Sequence, residues 1–458
     1  MNNHTDNIPK LKFHQGTLVL ENYAVAPEPL CLQWDARSRQ WRAKALFYDE
    51  ILQWLKSKKI PFVDQAAKIL TIALSPQFAI KLYDYQKQAV EIWQKAQCRG
   101  SICLPTGTGK SWVALSAMQH CQTSTLVILP TLDLMNQWYE LICQAFGIDV
   151  GILGGGYHDV QNVTVTTYDS AYIHMDKYGN RFGLLIFDEV HHLPSQTYSF
   201  IPEMCIAPNR LGLTATYARP DGLHGKLEHL IGPLVYEKDI KDFAGDYLAD
   251  YRTIKIPVEL TPSEKAEYQK HQQTYLGYVR EKKIKFKSAD LTALLKQSAH
   301  DPRARQAFLA RQRARRIQLG AAKKLDLLES LLKIHINDHV LIFTVSNDLV
   351  YHISETFLAP AITHHTKTIE RKWILDNFRN GVFSVLVTSR VLNEGIDIPS
   401  ANIAIILSGS ASPVEHVQRL GRILRKSAGK EAILYELVTR GTKESQISYR
   451  RRQADAYK

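Results

Sequence analysis

The chain has 458 residues, of which 45% are hydrophobic and 22% are charged, so wholesale disorder is excluded and roughly two to four domains are expected. Lys and Arg number 57 against 45 Asp and Glu, which gives a formal charge of +12. Such an excess predicts a polyanionic partner such as nucleic acid, or else only a solvated basic surface. Residues 251–330 hold 18 Lys and Arg against 8 Asp and Glu, so the charge is concentrated in one segment.

The six cysteines form no C-x-x-C pair, so neither a zinc site nor an iron–sulfur cluster is predicted, and core thiols in a reducing compartment are expected. The N-terminal residues lack a basic and then apolar signal pattern. Apolar runs such as residues 403–407 are too short to span a membrane. These features predict a protein of the cytoplasm or the nucleoid with no membrane partner.

The pattern along the chain predicts four domains. Residues 1–80 form a small N-terminal α+β domain, with a strand at 18–20 and a helix at 48–58. Residues 81–245 and 331–458 form two α/β lobes, because short apolar runs typical of buried parallel strands recur between helix-like stretches. The predicted strands cover residues 102–104, 126–129, 163–166, 184–187, 211–214, 340–343, 385–388 and 403–407.

Residues 246–330, between the lobes, form a basic helical segment. Thr261, Pro262 and Glu264 make a capping box with proline at the first helical position, so a helix is predicted from there toward Lys285. A second basic helix is predicted over residues 302–317.

A phosphate-binding loop is predicted at residues 104–111, LPTGTGKS, because an apolar run precedes it and a helical stretch follows. The glycines let several N–H groups point inward, while Lys110 reaches the β- and γ-phosphates and the Ser111 hydroxyl binds Mg²⁺. Leu104 stands where the strict pattern has glycine, so the loop is a variant form. The residues predicted to hold ATP are Thr106, Gly107, Thr108, Gly109, Lys110 and Ser111.

Two carboxylates, Asp188 and Glu189, follow the predicted strand at 184–187. Ligands of α/β folds bind at the carboxyl ends of strands, so Asp188 is predicted to hold Mg²⁺ and Glu189 to polarise the attacking water as general base. The pair comes 78 residues after Lys110, an order and spacing that strengthen the prediction.

A third part of the ATPase site is predicted on a helix that begins at residue 413. Gln418, Arg422 and Arg425 fall on one face of it, where guanidinium groups can stabilise the charge that develops on a γ-phosphate. A solvated basic face is the alternative, and Gly421 argues against it because a mid-helix glycine usually serves close packing. Together the three parts predict ATP hydrolysis in a cleft between two lobes.

These residues belong to an ordered set of motifs that resembles the superfamily 2 helicases, and within them the XPB-type DNA helicases of archaea and bacteria. The motifs are LYDYQ (82–86), LPTGTGKS (104–111), LPT (129–131), TTYDS (166–170), DEVHH (188–192), LTAT (213–216), IFT (342–344), TSRVLNEGIDIP (388–399) and QRLGRILR (418–425). The resemblance implies two tandem RecA-like domains, ATP and Mg²⁺ as cofactors, 3′→5′ DNA helicase activity and a role in DNA repair or transcription. It also implies a damage-recognition domain at WDARSRQWRA (34–43) and a thumb-like insertion at 246–330.

Further roles follow only from this resemblance. Gln86 would read the adenine and Asp397 would contact the ribose region. The residues expected to contact nucleic-acid phosphates are Pro130, Thr131, Thr167 and Thr388. Those expected to couple hydrolysis to movement are His191, Thr214, Thr216, Arg219 and Asp221.

The sequence departs from the family pattern at two places. The family's Arg-Glu-Asp element appears as Arg219, Pro220 and Asp221, and proline cannot supply the acidic contact. The family's Arg-Pro before Tyr85 and Gln86 is also replaced here, so only Gln86 is carried over from that motif.

DNA is expected to bind the basic helical segment. The candidate contacts include Lys283, Lys285, Arg311 and Arg315. Three tyrosines interleaved with them, Tyr268, Tyr275 and Tyr278, either stack on bases or pack the segment's own core. The expected substrate is single-stranded or forked DNA, the chain is expected to be a monomer, and a nuclease partner is common in related systems.

Three other functions are compatible with parts of the pattern. An RNA helicase shares every ATPase motif. Because of Pro220, a translocase that remodels duplex DNA without strand separation stays open as an alternative. A non-catalytic binding module conflicts with the complete phosphate loop and with the carboxylate pair.

Overall fold

A computed structural model describes residues 8–25, 27–219, 221–243, 251–282, 294–389, 401–408 and 432–451. The chain divides into two compact units, with the boundary between Asp242 and Phe243. Each unit contains one large sheet of mainly parallel strands, and the first unit also contains a small N-terminal sheet. The α/β class that the apolar runs predict is therefore confirmed.

The strands in chain order are β1 Lys10–His14, β2 Thr17–Glu21, β3 Gln33–Asp35, β4 Gln40–Lys44, β5 Val63–Asp64, β6 Arg99–Cys103, β7 Thr125–Leu129, β8 Gly151–Gly154, β9 Tyr157–His158, β10 Val163–Thr167, β11 Leu184–Asp188, β12 Asn209–Thr214, β13 Leu234–Glu237, β14 Tyr251–Val258, β15 Val340–Phe343, β16 Ala361–Ile362, β17 Val385–Thr388, β18 Ile403–Ile406 and β19 Ala432–Thr439.

The α-helices are α1 Tyr48–Ser57, α2 Asp84–Lys95, α3 Lys110–Cys121, α4 Leu132–Phe146, α5 Tyr168–Tyr178, α6 Phe200–Glu203, α7 Lys226–Leu230, α8 Pro262–Glu281, α9 Pro302–Leu319, α10 Ala322–Ile334, α11 Asn347–Phe357, α12 Thr368–Arg379 and α13 Lys443–Arg451. A further single helical turn covers residues 294–297.

The N-terminal sheet has the strand order β3-β4-β2-β1-β5 and packs against α1. The helix predicted at 48–58 is found as α1, whose Ile51 and Leu55 are fully buried against Leu11 and Leu18 of the sheet. At the edge of this sheet, β3 and β4 form a hairpin in which Trp34 is directly opposite Trp41. Their rings make an edge-to-face contact at 5.2 Å between centroids.

Hydrogen bonds fix the N-terminal sheet and the segment after it to α5 and to the loop that follows α5. The Asn180 side chain donates to the Ala66 carbonyl at 2.7 Å, and the Lys68 amide donates to the Asn180 carbonyl at 2.9 Å. The Gly16 amide donates to the Asp176 carbonyl at 3.0 Å. Because two of these three bonds join backbone groups, the N-terminal sheet is held firmly against the rest of the first unit.

The large sheet of the first unit has the order β13-β6-β12-β11-β7-β10-β8-β9, and all of its neighbouring strands are parallel except β8 and β9. All five strands predicted in this lobe are found, as β6, β7, β10, β11 and β12. Because they run in one direction, the segments that follow them emerge at one edge of the sheet. Residues 104–111, Pro130, Thr167 and Asp188 all lie at this edge.

The large sheet of the second unit has the order β14-β19-β18-β15-β17-β16, and all of its strand pairs are parallel. No strand was predicted at Tyr251–Val258, yet β14 forms the edge of this sheet beside β19. Its alternation of apolar and polar residues suits a strand, and Pro257 is tolerated because an edge strand leaves one side of its backbone unpaired.

The basic segment forms two long helices, as predicted. Thr261 and Glu264 complete the capping box at the start of α8, which ends at Glu281 rather than near Lys285. Tyr268, Tyr275 and Tyr278 are each 6% exposed. Tyr275 and Tyr278 belong to a core that α8 shares with Ala304 and Ala307 of α9. For Tyr275 and Tyr278 the structure supports the alternative that they pack the segment's own core, whereas Tyr268 accepts the Lys443 amide of α13 at 3.4 Å.

A buried ion pair connects α10 and α13 in the second unit. The Lys324 ammonium donates to Glu444 Oε2 at 2.7 Å and to the Leu407 carbonyl at 2.6 Å, and both charged side chains are at most 1% exposed. Glu444 Oε2 also accepts the Thr439 amide at 2.9 Å. The pair therefore ties the helices to the ends of two neighbouring strands of the sheet.

We expect Lys324→Met to lower the free energy of unfolding by about 3–5 kcal/mol, because Glu444 would keep a buried charge without its cation. Urea denaturation measures this. In the matched variant Lys333→Met, which breaks the exposed pair with Glu329, the change should stay within about 0.5 kcal/mol. Equal losses in both variants would contradict the assignment, as would failure of the double variant Lys324→Met, Glu444→Leu to recover stability.

Candidate nucleotide site

The phosphate loop lies between β6 and α3. Gly107 and Gly109 have φ angles of 87° and 74°, which a residue with a side chain rarely adopts. A Cβ atom at Gly109 would also lie 2.6 Å from the Gln86 amide nitrogen. The helix begins at Lys110, so the amides of its first turn face the space in front of the loop.

The start of α2 braces this loop. The Gln86 amide nitrogen donates to the Thr108 carbonyl at 2.8 Å and to the Gly109 carbonyl at 3.3 Å. Tyr85 donates its hydroxyl to the same Thr108 carbonyl at 2.7 Å, and Gln86 Oε1 accepts the Tyr83 amide at 2.8 Å. Gln86 is 1% exposed, so its amide supports the loop, and its contact with adenine stays a prediction.

Two polar side chains of the loop donate hydrogen bonds to carbonyl groups at its start. Lys110 Nζ donates to the carbonyls of Leu104 and Pro105 at 3.1 and 3.3 Å. The Thr108 hydroxyl donates to the Pro105 carbonyl at 2.7 Å. Thr106 is half-buried in the loop, and Ser111 is half-buried in the first turn of α3.

The two carboxylates stand at the end of β11, as predicted. Asp188 Oδ1 accepts the Glu189 amide at 3.0 Å, and Oδ2 accepts the Trp138 indole N–H at 3.1 Å. Asp188 and Glu189 are each 8% exposed. Burial, and then the neighbouring Glu189 charge, raise the pKa of Asp188 well above its ordinary value. A cation at this position would therefore be strongly favoured.

The predicted coupling residues form a connected network beside the carboxylates. His191 Nδ1 lies 3.5 Å from Glu189 Oε2 and 3.1 Å from the Thr214 hydroxyl. Thr214 in turn donates to the Thr216 carbonyl at 2.9 Å and accepts the Thr216 amide at 3.1 Å. The end of β12 is thus joined to the predicted general base through one imidazole.

Arg219 extends this network. Its Nη1 donates to the His191 carbonyl, and its Nε and Nη2 bind the Asp221 carboxylate at 3.0 and 2.6 Å. The hydrogen bonds from Arg219 lower the pKa of Asp221 to about 2. The first and last residues of the predicted element therefore pair with each other, while Pro220 lies outside the described residues.

The predicted phosphate contacts of the first unit lie at two neighbouring helix starts. Thr131 is the N-cap of α4 and accepts the Leu134 amide at 3.3 Å. Thr167 is the N-cap of α5 and accepts the Ser170 amide at 3.3 Å. Pro130 precedes Thr131, and the two helices follow the adjacent strands β7 and β10. The N-termini of both helices, which carry a partial positive charge, lie at the sheet edge that carries the phosphate loop.

Residues 154–156, where β8 ends and turns into β9, lie beside these helix starts. A Cβ atom at Gly154 would be 2.6 Å from the Ser170 hydroxyl, and one at Gly155 would be 3.0 Å from Leu132 Cδ2. Three successive glycines after a strand are a signal for close backbone approach, and this signal could have pointed to the site.

The predicted nucleic-acid contacts of the second unit that the structure describes lie at the end of β17 and on α9. Thr388 is fully buried and donates to the Ile362 carbonyl at 3.1 Å, so contact with a phosphate would require it to be uncovered. The Arg311 guanidinium lies 5.8 Å from the centre of the Tyr275 ring, and Arg315 is exposed on α9. The predicted residues outside the described part of the chain are Lys283, Lys285, Asp397, Gln418, Arg422 and Arg425.

The described residues hold no group of three or more His, Cys, Asp or Glu side chains placed to bind a metal. No helix in the described part of the chain is long and apolar enough to cross a membrane.

Three family models match the chain. The Xeroderma pigmentosum group B helicase damage recognition domain matches residues 11–66. The type III restriction enzyme res subunit matches residues 79–219, and the helicase conserved C-terminal domain matches residues 323–427. The first of these lies in the N-terminal sheet and the second contains the phosphate loop and the carboxylates.

Individual relatives agree with these models. The DNA 3′-5′ translocase XPB2 of Sulfurisphaera tokodaii is 39% identical over 97% of this chain and 99% of its own length. The DNA 3′-5′ helicase XPB of Mycobacterium tuberculosis is 30% identical over 81% of this chain, which spans 63% of that relative. Among solved structures, Saccharomyces cerevisiae Dbp5 bound to RNA and ADP BeF3 aligns with a TM-score of 0.57 at 15% identity, over 82% of this chain and 88% of its own.

The fold and the site define a helicase with two RecA-like domains, which confirms the predicted fold class of two tandem parallel-sheet domains, a small N-terminal domain and a helical insertion. The chain belongs to the XPB helicase family, a family of ATP-dependent DNA helicases.

We expect Gln86→Glu to weaken binding of a fluorescent ATP analogue about tenfold or more, because a carboxylate would face the Thr108 and Gly109 carbonyls that the amide now binds. Fluorescence titration measures the affinity. Gln88→Glu, on the exposed face of the same helix, is the matched control and should bind as the wild type does. Unchanged affinity in Gln86→Glu would show that the loop keeps its shape without this brace.

Proposed function

We propose that this chain uses ATP hydrolysis to move 3′→5′ along DNA and to separate its strands, in DNA repair or in transcription-linked processing. One observation carries the proposal. The phosphate loop, the Asp188 and Glu189 carboxylates and the starts of α4 and α5 lie at the same edge of one parallel sheet. The loop that would bind the phosphates of ATP therefore lies beside two helix N-termini, which are able to bind the phosphates of a nucleic acid.

The hydrolysis step follows from the placed groups. The amides of the loop and the Lys110 ammonium bind the β- and γ-phosphates. Glu189 orients a water molecule, whose oxygen attacks the γ-phosphorus while its proton moves to the Glu189 carboxylate. The bond from the γ-phosphorus to the bridging oxygen breaks, and ADP and phosphate leave. Gln418, Arg422 and Arg425 are proposed to stabilise the charge on the transferred group.

The donor set at the end of β11 fits Mg²⁺. Asp188 is buried, and each of its carboxylate oxygens accepts one N–H and keeps a further lone pair. Mg²⁺ is commonly held by one or two carboxylates together with substrate phosphates, which suits a site with few protein ligands. We propose that Asp188 and the Ser111 hydroxyl hold it. When bound, the cation neutralises charge on the phosphate oxygens.

The nucleic acid is proposed to bind through its backbone. The starts of α4 and α5 offer N–H groups and the hydroxyls of Thr131 and Thr167, which bind phosphates without reading sequence. The substrate is single-stranded or forked DNA, and the chain acts on it as a monomer, in the cytoplasm or at the nucleoid. A nuclease that cuts the opened strands is the proposed partner, by analogy with related XPB systems.

Two assays test this function. We expect ATPase activity to be stimulated by DNA more than by RNA, and a labelled strand to be displaced from a forked duplex. Glu189→Gln should retain ATP binding and lose turnover by about 100-fold or more, because it removes the general base. Full turnover in this variant would overturn the assignment of Glu189.

The same assays separate the alternatives. Stimulation by RNA alone would indicate an RNA helicase. Stimulation by DNA without strand displacement would indicate a translocase that remodels duplex DNA, the alternative that the proline at 220 leaves open. Absence of hydrolysis with any nucleic acid would indicate a binding module.

We expect charge reversal at Arg313 and Arg315, which are exposed on α9, to weaken DNA binding about tenfold at moderate salt and to leave hydrolysis without DNA nearly unchanged. Fluorescence anisotropy over a salt series measures the affinity, and its salt dependence should become shallower. The matched control is Lys95→Glu, at the end of α2 near the opposite edge of the first sheet. Wild-type DNA affinity in the α9 variant would show that Arg313 and Arg315 do not contact DNA.

A further inference from the structure

The side-chain carboxylate and the backbone carbonyl of Asp188 each accept a hydrogen bond from a different helix. Trp138 of α4 donates its indole N–H to Asp188 Oδ2 at 3.1 Å. Tyr168 of α5 donates its hydroxyl to the Asp188 carbonyl at 3.0 Å. Trp138 is 3% and Tyr168 2% exposed, so water does not compete for either bond.

These two helices are the ones that begin at the proposed DNA contacts. Thr131 caps α4 seven residues before Trp138, which is about two helical turns. Thr167 caps α5, and Tyr168 is the first residue of that helix. A helix is stiff over two turns and its surroundings are close-packed, so a shift at either start moves a donor that is bonded to Asp188.

The indole bond also fixes the orientation of the carboxylate. Oδ1 accepts the Glu189 amide and Oδ2 accepts Trp138, so rotation of the carboxyl group would break at least one bond. The remaining lone pairs therefore have set directions. Loss of the indole N–H would leave one carboxylate oxygen without its donor and free the group to turn.

We propose that Trp138 and Tyr168 are positioning residues through which DNA bound at the starts of α4 and α5 sets the orientation of Asp188, and thereby the rate of ATP hydrolysis. The proposal rests on the proposed function, since it takes Asp188 as the carboxylate that holds Mg²⁺. Both side chains are almost completely buried, so neither is placed to bind ATP directly. Their effect is on the metal-binding geometry and on its response to DNA.

The central test is Trp138→Phe, which keeps an aromatic ring and removes the N–H. Trp93→Phe is its matched control, because Trp93 is also buried in the first unit and its indole donates to the Arg210 carbonyl at 3.0 Å, away from the carboxylates. Both variants lose one buried indole hydrogen bond, so a purely structural role predicts the same behaviour for both.

We expect Trp138→Phe to weaken Mn²⁺ binding in the presence of a non-hydrolysable ATP analogue about tenfold, as measured by electron paramagnetic resonance, because a hydrogen bond to a charged group is lost. Stimulation of ATPase activity by saturating DNA should fall by a similar factor. Trp93→Phe should keep both properties, with a comparable decrease in melting temperature. Tyr168→Phe should lower DNA stimulation in the same direction, and it tests the proposal should Trp138→Phe not fold.

Asp188→Asn separates this proposal from the one on which it rests. Wild-type Mn²⁺ binding in Asp188→Asn would show that Asp188 does not hold the cation, and the proposed site would fail. Weakened binding in Asp188→Asn, together with equal behaviour of Trp138→Phe and Trp93→Phe, would overturn the role of Trp138 and leave the proposed function intact.

Discussion

The parallel direction of five neighbouring strands is the constraint on which the candidate site depends. β6, β12, β11, β7 and β10 are hydrogen-bonded side by side and all run the same way. The ends of four of them carry the phosphate loop, the carboxylates and the two helix starts, and β12 carries Thr214. Reversal of any one strand would place its functional residues at the far edge of the sheet. The positions of the functional residues are therefore determined first by how the backbones of the strands pair, and only then by contacts between side chains.

Features that depend on residues close in sequence were predictable. The phosphate loop, the Asp188 and Glu189 pair and the capping box of α8 are local patterns, and the structure has all three at the predicted positions. The buried strands were predictable because a parallel strand covered on both faces is a continuous apolar run. β14 was missed because it lies at an edge and pairs with β19, which is remote in sequence.

Contacts between remote side chains could not be predicted. The motifs identify Gln86 and Asp188 as functional residues, but no pattern shows that Gln86 braces the loop or that Trp138 faces Asp188. The tyrosines of α8 show the same limit, since their spacing fits a stacking surface and a small core equally well. Which face of a helix is covered depends on its neighbour, here the alanines of α9.

The attachment of the N-terminal sheet has a geometric consequence. A module on a flexible linker samples many orientations and loses that freedom when it binds. Here Gly16, Lys68 and Asn180 fix the sheet to the unit that holds the phosphate loop, so this entropy has already been lost on folding. Trp34 is half-exposed on the outer hairpin of the sheet. Any ligand that binds there is therefore held at a fixed distance and orientation relative to the phosphate loop of the same unit.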